Sequence, residues 1–508
     1  MALNAVLSWF IKKRIHQIDL FRKYPIEVQQ EVLHNLIYRA QDTVWGRQHN
    51  FSSIKSYEDF KRAMPIQDYE HVKPYVDRLI HGEQNLLWPT DIKWFAKSSG
   101  TTNDKSKFIP VSKEALEDCH YRGGKDLLSI YYNYNELANL YDGKSLVVGG
   151  SSQVNQLSED SYFGDLSAII VKNLPFWVEY RRTPDISVAL MGVWEEKIDK
   201  MAELTSREDV TNIAGVPSWT LVLLKKILEK TGASNISEVW PNLQLIMHGG
   251  VSFEPYRKQF NRLIPSPTVS YLESFNASEG FFGIQDIIGQ QDMLLMLDYG
   301  IFFEFLPMDE IDSENPNPIS LEDVEPGINY ALIISTNAGL WRYMLGDTVC
   351  FTETYPFRFT ITGRTKSFIN VFGEELMVAN SDKALSIACN QTNSLITDYT
   401  AGPVFMTETH QGGHEWLIEF EHAPENMHVF AVELDNALKS VNSDYEAKRV
   451  GNLNLNFPVV HAMPKGTFYT WLKSKNKLGG QHKIPRLSNT RKYLDEIMAF
   501  ARQENIEV

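Results

Sequence analysis

The spacing of apolar residues changes along the chain from a helical to a strand-like pattern. Residues 1–90 are mainly helical in pattern, and residues 21–47 carry apolar side chains at helical spacing, with Pro25 near the start. From residue 91 onward, short β-rich runs end in Gly or Ser and precede helical stretches, as in SLVVGGSS at 145–152, LQLIMHGG at 243–250 and TVSYLESF at 268–275. This alternation predicts an α/β fold with parallel sheets, in which ligands bind beyond the carboxyl ends of the strands.

Two later segments have the pattern of antiparallel strands. The segment MLLMLDYGIFFEFLP at 293–307 predicts two strands joined by a short turn. The segment YALIISTNAGLWRYMLGDTVCFT at 330–352 predicts two more strands, with a turn at 337–339. Because strands joined by short turns pair antiparallel, we expect a small antiparallel sheet or β-barrel in addition to the parallel sheets.

The pattern changes again near residue 363. The runs GPVFMTET at 402–409 and EWLIEFEH at 415–422 flank a Gln-Gly-Gly turn, which predicts a hairpin, and residues 427–447 are helical in pattern. We therefore expect a large N-terminal body of several subdomains, residues 1–364, and a smaller α+β C-terminal domain, residues 365–508.

Length and charge narrow the classes of protein. A chain of 508 residues is too long for one simple core, and its apolar fraction of 43% is that of an ordinary globular protein. Acidic side chains outnumber basic ones by 64 to 49, and the net charge of −15 disfavours binding to nucleic acid. A nucleotide can still bind where a local Lys and backbone N–H groups offset that mean field.

The cysteines and the N-terminal segment indicate the cellular compartment in which we expect the protein. Cys119, Cys350 and Cys389 are far apart and form no CxxC pair, which fits a reducing cytoplasm better than a disulfide framework or a zinc site. The apolar stretch at the N-terminus is about 10 residues, too short to span a bilayer, and basic residues follow it rather than precede it. We expect an amphipathic helix there and no stable membrane insertion.

The first of five candidate segments begins Ser98-Ser99-Gly100-Thr101-Thr102 and continues to Lys107. Hydroxyls and exposed backbone N–H groups around a Gly can cradle an anion, and a Lys adds a point charge. The segment is not a P-loop, because GxxxxGK[ST] is absent. A polar surface loop is the alternative.

The second segment, Phe275-Asn276-Ala277-Ser278-Glu279, ends a predicted strand. An aromatic ring there can stack on a base, and a carboxylate can hold Mg²⁺. The alternative is a strand end followed by a helix whose N-cap is Ser278.

Three further segments lie nearer the C-terminus. In RYMLGD at 342–347 the carboxylate of Asp347 can accept both hydroxyls of a ribose, although a Gly-Asp hairpin turn is the alternative. GRTK at 363–366 lies at the predicted domain boundary, as a hinge or as a solvated connector. GQHKIPR at 480–486 presents Lys483 from a Gly-containing loop, which can reach a distant site or remain solvated.

The order and wide spacing of these segments resemble the adenylate-forming superfamily of acyl-CoA synthetases, peptide-synthetase adenylation domains and luciferases. The chain is most similar to the acyl acid amido synthetases of the Gretchen Hagen family, the plant auxin-conjugating type and its bacterial relatives. The strings FFEFLP at 302–307, GTFYTWL at 466–472 and QHKIPR at 481–486 resemble further landmarks of that family. The likeness extends from about residue 20 to residue 495.

The resemblance implies a role for each matching residue. The phosphate loop would comprise Ser98, Ser99, Gly100, Thr101, Thr102 and Lys107. Phe275, which replaces the family's usual Tyr, would lie near the adenine, Ser278 near the α-phosphate, and Glu279 would bind Mg²⁺. The remaining implied roles are nucleotide binding for Tyr343, ribose binding for Asp347 and Arg364, the hinge for Lys366 and catalysis of adenylation for Lys483.

The activity that the resemblance implies is ATP-dependent activation of a small carboxylic acid to an acyl-adenylate. Transfer to an amine or amino acid would then give an amide conjugate and AMP. An acyl-CoA-forming ligase shares the first half-reaction and is the alternative. A nucleotide-binding protein without enzymatic activity is a third reading, although the presence of Lys483 disfavours it.

Overall fold

The computed structural model describes most of the chain. The described residues are 13–98, 107–149, 154–174, 176–250, 253–311, 313–365, 368–374, 376–406, 411–449, 455–474 and 485–503. Of the sequence predictions, the N-terminal amphipathic helix, the phosphate loop between Ser98 and Lys107, the hinge Lys366 and the loop of Lys483 lie outside these residues. None of the described helices is both long enough and apolar enough to cross a membrane.

The predicted helical region is helical, but it is divided more finely than the apolar spacing indicated. Pro25 begins a new helix, because a Pro at the first helical position loses no intrahelical hydrogen bond. Thr43 begins the next helix by accepting a hydrogen bond from Gly46 N. The helices of this region are Ile15–Lys23, Pro25–Ala40, Val44–Gln48, Tyr57–Ala63 and Tyr69–Ile80.

The remaining helices alternate with strands or follow them. In the described part of the chain they are Tyr121–Tyr134, which continues the π-helical turn Ala115–His120, Leu166–Lys172, Phe176–Glu179, Ile186–Ala189, Trp194–Thr205, Pro217–Thr231, Ile236–Val239, Glu254–Leu263, Val378–Thr392, Met427–Val441, Ser443–Arg449, Thr467–Ser474 and Lys492–Gln503. Short 3₁₀ turns lie at Phe51–Ser53, Leu140–Asp142, Met308–Glu310 and Leu321–Asp323.

The strands number twenty in the described residues. In chain order they are β1 Trp94–Ser98, β2 Lys107–Val111, β3 Lys144–Val148, β4 Asn155–Ser158, β5 Ser161–Gly164, β6 Arg182–Thr183, β7 Val210–Gly215, β8 Leu245–Gly249, β9 Ser270–Ala277, β10 Gly280–Ile284, β11 Met293–Leu295, β12 Ile301–Pro307, β13 Asn329–Thr336, β14 Tyr343–Thr354, β15 Phe357–Arg364, β16 Phe368–Ile369, β17 Leu376–Met377, β18 Leu395–Val404, β19 Gly413–His422 and β20 Val459–Met463.

One sheet dominates the body. Its order is β12-β13-β14-β15-β11-β10-β9-β8-β7-β3-β6. The strands from β9 to β6 pair in parallel, which confirms the predicted parallel α/β character. The strands from β9 to β12 pair antiparallel and belong to the same sheet, so they do not form the separate small sheet or barrel that we expected. The pairing of β9 with β10 joins the parallel part of the sheet to the antiparallel part. The local sequence pattern does not show which strands lie next to each other in a sheet.

The chain divides into two compact units. Among the described residues, the first contains those within 13–98, 107–250 and 260–365, and the second contains 253–259 and those from 368 onward. The core of the first unit is lined by aromatic side chains such as Trp88, Phe303 and Trp341, each at most 1% exposed. The first unit also contains a smaller sheet of order β2-β1-β5-β4.

The second unit contains a three-stranded sheet of order β18-β19-β20. Strands β18 and β19 pair antiparallel with Val404 opposite Gly413, which confirms the predicted antiparallel pair, although β18 ends at Val404 and Gly413 already belongs to β19. Helices Thr467–Ser474 and Lys492–Gln503 supply Trp471 and Ile497 to an apolar cluster that includes Leu417 of β19. The mixture of an antiparallel hairpin and helices agrees with the predicted α+β class.

Candidate functional site

The segment that carries Glu279 is the tight turn of a hairpin. Strand β9 ends at Ala277 and β10 begins at Gly280, and these two residues pair directly, so Ser278 and Glu279 form the turn. A helix does not begin at Ser278, and the alternative of a helix N-cap is therefore wrong. The turn places the carboxylate of Glu279 at the carboxyl end of β9, where ligands of α/β folds bind.

Asp347 lies on a bulge of β14 rather than in a hairpin turn. The register between β13 and β14 shifts around residues 345–347, and Gly346 has a φ of +96°, which favours glycine. Asp347 pairs directly with Arg364 on β15, whose Nε donates to Oδ1 of Asp347 at 2.7 Å. The two residues expected near the ribose are thus adjacent because of strand register, although 17 positions separate them in the sequence.

Lys107 begins β2 and contacts two tyrosines. Its Nζ donates to the hydroxyl of Tyr343 at 3.4 Å and lies 5.7 Å from the ring centre of Tyr69. Tyr343 is fully buried at the start of β14. The sequence pattern pointed to Lys107 and Tyr343 separately, and the structure brings them together.

The electrostatics join these residues into one cluster, which we call the Glu279 cluster: Lys107, Glu279, Tyr343, Asp347 and Arg364. Burial raises the pKa of Glu279 to about 7, against the opposing attraction of Lys107 and Arg364, and the charge of Asp347 raises it further. Burial, together with the charge of Glu279, raises the pKa of Tyr343 well above its ordinary value. The tyrosine therefore stays neutral, and the carboxylate ionises most readily when another cation arrives.

Phe275 occupies a different environment. Its side chain is 7% exposed, and its ring packs 4.9 Å from that of Phe282 and 6.1 Å from that of Phe359. Most of the ring surface is therefore used by the core, and the described contacts do not bring it into the charged cluster.

One contact next to the cluster could not be predicted from the sequence, namely the ion pair of Arg342 with Glu304. Arg342 has a φ of +44°, unusual for a residue other than glycine. Its guanidinium pairs with the buried carboxylate of Glu304, from Nε at 2.9 Å and Nη2 at 2.8 Å. The motif strings contained both residues, in FFEFLP and RYMLGD, but they are 38 positions apart and local pattern could not pair them. This ion pair fixes the backbone immediately before Tyr343.

The acidic residues fit a magnesium ion that is shared with a bound phosphate. No group of three or more His, Cys, Asp or Glu side chains among the described residues forms a complete metal site. Mg²⁺ needs only one or two protein carboxylates when phosphate oxygens and water complete its shell. Glu279, with its raised pKa, has the character of such a carboxylate, since a bound cation would restore its charge.

Comparison with solved structures defines the class of fold. The structure of the GH3.15 acyl acid amido synthetase superposes with a TM-score of 0.60 at 17% identity, covering 96% of this chain and 96% of that chain. A 2-hydroxyisobutyryl-CoA ligase in complex with 2-HIB-AMP and CoA superposes with a TM-score of 0.54 at 12% identity, covering 94% and 92%. The chain thus shares the fold of these two enzymes.

Sequence comparison then gives the family. Residues 14–269 match the GH3 family N-terminal domain, residues 294–364 the GH3 family central domain and residues 379–492 the GH3 family C-terminal domain. The chain belongs to the GH3 family. Among its relatives, the indole-3-acetic acid-amido synthetase GH3.3 of Arabidopsis thaliana is 22% identical, over 94% of this chain and 90% of the relative.

Proposed function

We propose that this GH3 chain is an ATP-dependent ligase that activates a small carboxylic acid as an acyl-adenylate and transfers the acyl group to an amine or amino acid. The observation that carries the proposal is the Glu279 cluster, which brings a lysine, an arginine and two carboxylates together in an adenylate-forming fold. The three cysteines fit a reducing compartment, so the proposal places the reaction in the cytoplasm.

Each residue of the cluster has a task in this proposal, and that of Tyr343 is nucleotide binding. Lys107 attracts the phosphates of ATP, and Asp347, oriented by Arg364, accepts hydrogen bonds from the ribose hydroxyls. Glu279 would hold Mg²⁺, which when bound offsets the repulsion between the incoming carboxylate and the phosphates. Ser98, Ser99, Gly100, Thr101 and Thr102 complete the phosphate loop in the proposal, Ser278 lies near the α-phosphate and Phe275 lies near the adenine.

The C-terminal part of the chain also has roles in the proposed function. Residues 1–364 are the adenylate-forming domain, and residues 365–508 are a mobile domain that carries the catalytic Lys483. Lys366 is the hinge. A hinge motion would bring Lys483 to the phosphates for adenylation and withdraw it for transfer, as in other enzymes that run two half-reactions at one site.

Acid-dependent exchange between ATP and pyrophosphate tests the first half-reaction. With a panel of aryl and alkyl carboxylic acids, we expect exchange by the wild-type protein and its loss in Lys483→Ala. The same variant should convert a supplied acyl-AMP to the amide at nearly the wild-type rate. Normal exchange by Lys483→Ala would remove this lysine from adenylation, and circular dichroism with a thermal melt verifies that the variant is folded.

The acceptor is tested by product analysis with and without amino acids or coenzyme A. We expect an amide product that requires the amino acid. A thioester that forms only with coenzyme A would replace the amido synthetase by the acyl-CoA-forming ligase while leaving the first half-reaction intact.

A further inference from the structure

A tyrosine that lies outside the sequence motifs, Tyr69, contacts Lys107 of the Glu279 cluster. Tyr69 is the first residue of helix Tyr69–Ile80, and its side chain is 7% exposed. Its hydroxyl accepts a hydrogen bond from Phe108 N at 2.8 Å, and its ring lies 5.7 Å from Nζ of Lys107. One side chain thus contacts both the backbone of β2 and the ammonium group that begins this strand.

Tyr69 is itself held firmly in place. The side chain of Asp68 caps the helix by accepting a hydrogen bond from His71 N. The preceding residue, Gln67, forms a parallel bridge with Tyr343, in which Gln67 N donates to Arg342 O and Met344 N donates to Gln67 O, both at 2.8 Å. The helix start that carries Tyr69 is therefore attached to β14, the strand that carries Tyr343 and Asp347.

We propose that Tyr69 is a positioning residue for nucleotide binding, which fixes the ammonium group of Lys107 relative to β14. This inference rests on the proposed function, since it assumes that Lys107 meets the phosphates of ATP. The ring of Tyr69 stabilises the ammonium group of Lys107 through its π face. The hydroxyl of Tyr69 holds the backbone of β2 by accepting the hydrogen bond from Phe108 N. In the wild-type protein the side chain of Lys107 loses conformational entropy on folding, because the ring of Tyr69 restrains it. Without the ring, this entropy would be lost only when the lysine meets the phosphates, and binding would be weaker.

Calorimetric titration of MgATP into the full-length protein tests the inference without any acid or acceptor. We expect Tyr69→Leu to raise the Kd about tenfold, within the range from about 2-fold to about 30-fold that a cation–π contact supports. Tyr69→Phe keeps the ring and should show a smaller increase. In exchange assays the loss should appear in KM for MgATP and leave kcat nearly unchanged, because Tyr69 does not touch the reacting atoms.

Tyr75 is the matched control, because it lies on the same helix and its hydroxyl donates to Gln48, away from Lys107. Tyr75→Leu should bind MgATP like the wild-type protein. Equal weakening by Tyr75→Leu and Tyr69→Leu would overturn the inference, since the effect would then be one of general helix stability.

A double-mutant cycle separates positioning from a structural role. If Tyr69 acts through Lys107, Tyr69→Leu should have almost no further effect on the Kd in a Lys107→Met background. The same fold-change in both backgrounds would overturn the inference and leave the proposed function standing. If the wild-type protein binds no MgATP, the proposed function and the inference both fail. If it binds MgATP without acid-dependent exchange, only the proposed function fails.

Discussion

Two groups of charged residues in this molecule are built in opposite ways. In the Glu279 cluster, burial raises the pKa of the carboxylic acid to about 7, although two cations attract it. In the second unit, burial also acts on Asp435, but hydrogen bonds from Arg449, Lys439 and Tyr445 outweigh it and lower the pKa. Arg449 donates to Asp435 from Nε at 2.6 Å and Nη2 at 2.9 Å, and the Tyr445 hydroxyl donates at 2.8 Å.

The difference is the one expected between a structural group and a ligand-binding group. The charge of Asp435 is satisfied by the protein itself, so this group stabilises the fold and has little to offer a ligand. Burial disfavours the charged form of Glu279 in the protein by itself. A cation that binds there would therefore interact with a carboxylate that the protein has only partly compensated. Function is expected where the protein leaves a charge incompletely compensated.

The largest expected effect is the loss of activity in Glu279→Gln. In the proposed function Glu279 holds Mg²⁺ at the phosphates, so its removal should slow acid-dependent exchange by roughly 10²–10³-fold, the scale for losing one transition-state contact. The melting temperature at pH 8 should stay the same or rise, because the cost of burying the charge disappears. Full activity of Glu279→Gln at limiting Mg²⁺ would break the comparison.

Asp435→Asn should do the reverse. Loss of the charge leaves the buried Arg449 without its ion partner, and breaking such a pair costs about 3–5 kcal/mol. Urea unfolding, followed by a probe in the second unit, should show that loss of stability, whereas the KM for MgATP of the remaining folded protein should be unchanged. A variant that keeps its stability but loses MgATP binding would show that Asp435 belongs to the site.

The pH dependence should show the smallest difference between the two groups. The folded pKa of Glu279, about 7, exceeds its ordinary value of 4.5, so its contribution to stability is present below pH 4.5 and lost as the pH rises through 7. Exchange at limiting MgATP should rise about fivefold from pH 6 to pH 7 and about tenfold by pH 8, where it levels off, since in the proposed function the ionised form holds the metal. Glu279→Gln should lack this rise.

Asp435 provides the opposite sign. Its pKa lies below the ordinary value of 3.8, so its stabilisation is complete at neutral pH and is lost only as the pH falls through the folded pKa. Exchange should therefore be insensitive to this group between pH 6 and pH 8. A pH profile of wild-type exchange that is flat across this range would contradict the assignment of Glu279.

The sequence by itself determined the local elements and the order of the motifs. Alternating β-rich and helical runs indicated the α/β class, and the β-rich runs on either side of the Gln-Gly-Gly segment indicated the antiparallel pair of β18 and β19, because side-chain periodicity acts over short distances. The family resemblance was available from the same source, since FNASE, RYMLGD and GRTK are contiguous strings.

Only the tertiary structure decided which residues meet. The register of β14 against β15 places Arg364 opposite Asp347. The bridge between Gln67 and β14 brings the ring of Tyr69 next to the ammonium group of Lys107. The antiparallel strands joined the parallel ones in a single sheet through the pairing of β9 with β10. The raised pKa of Glu279 also belongs to this level, because burial and through-space charge depend on neighbours that are distant in the chain.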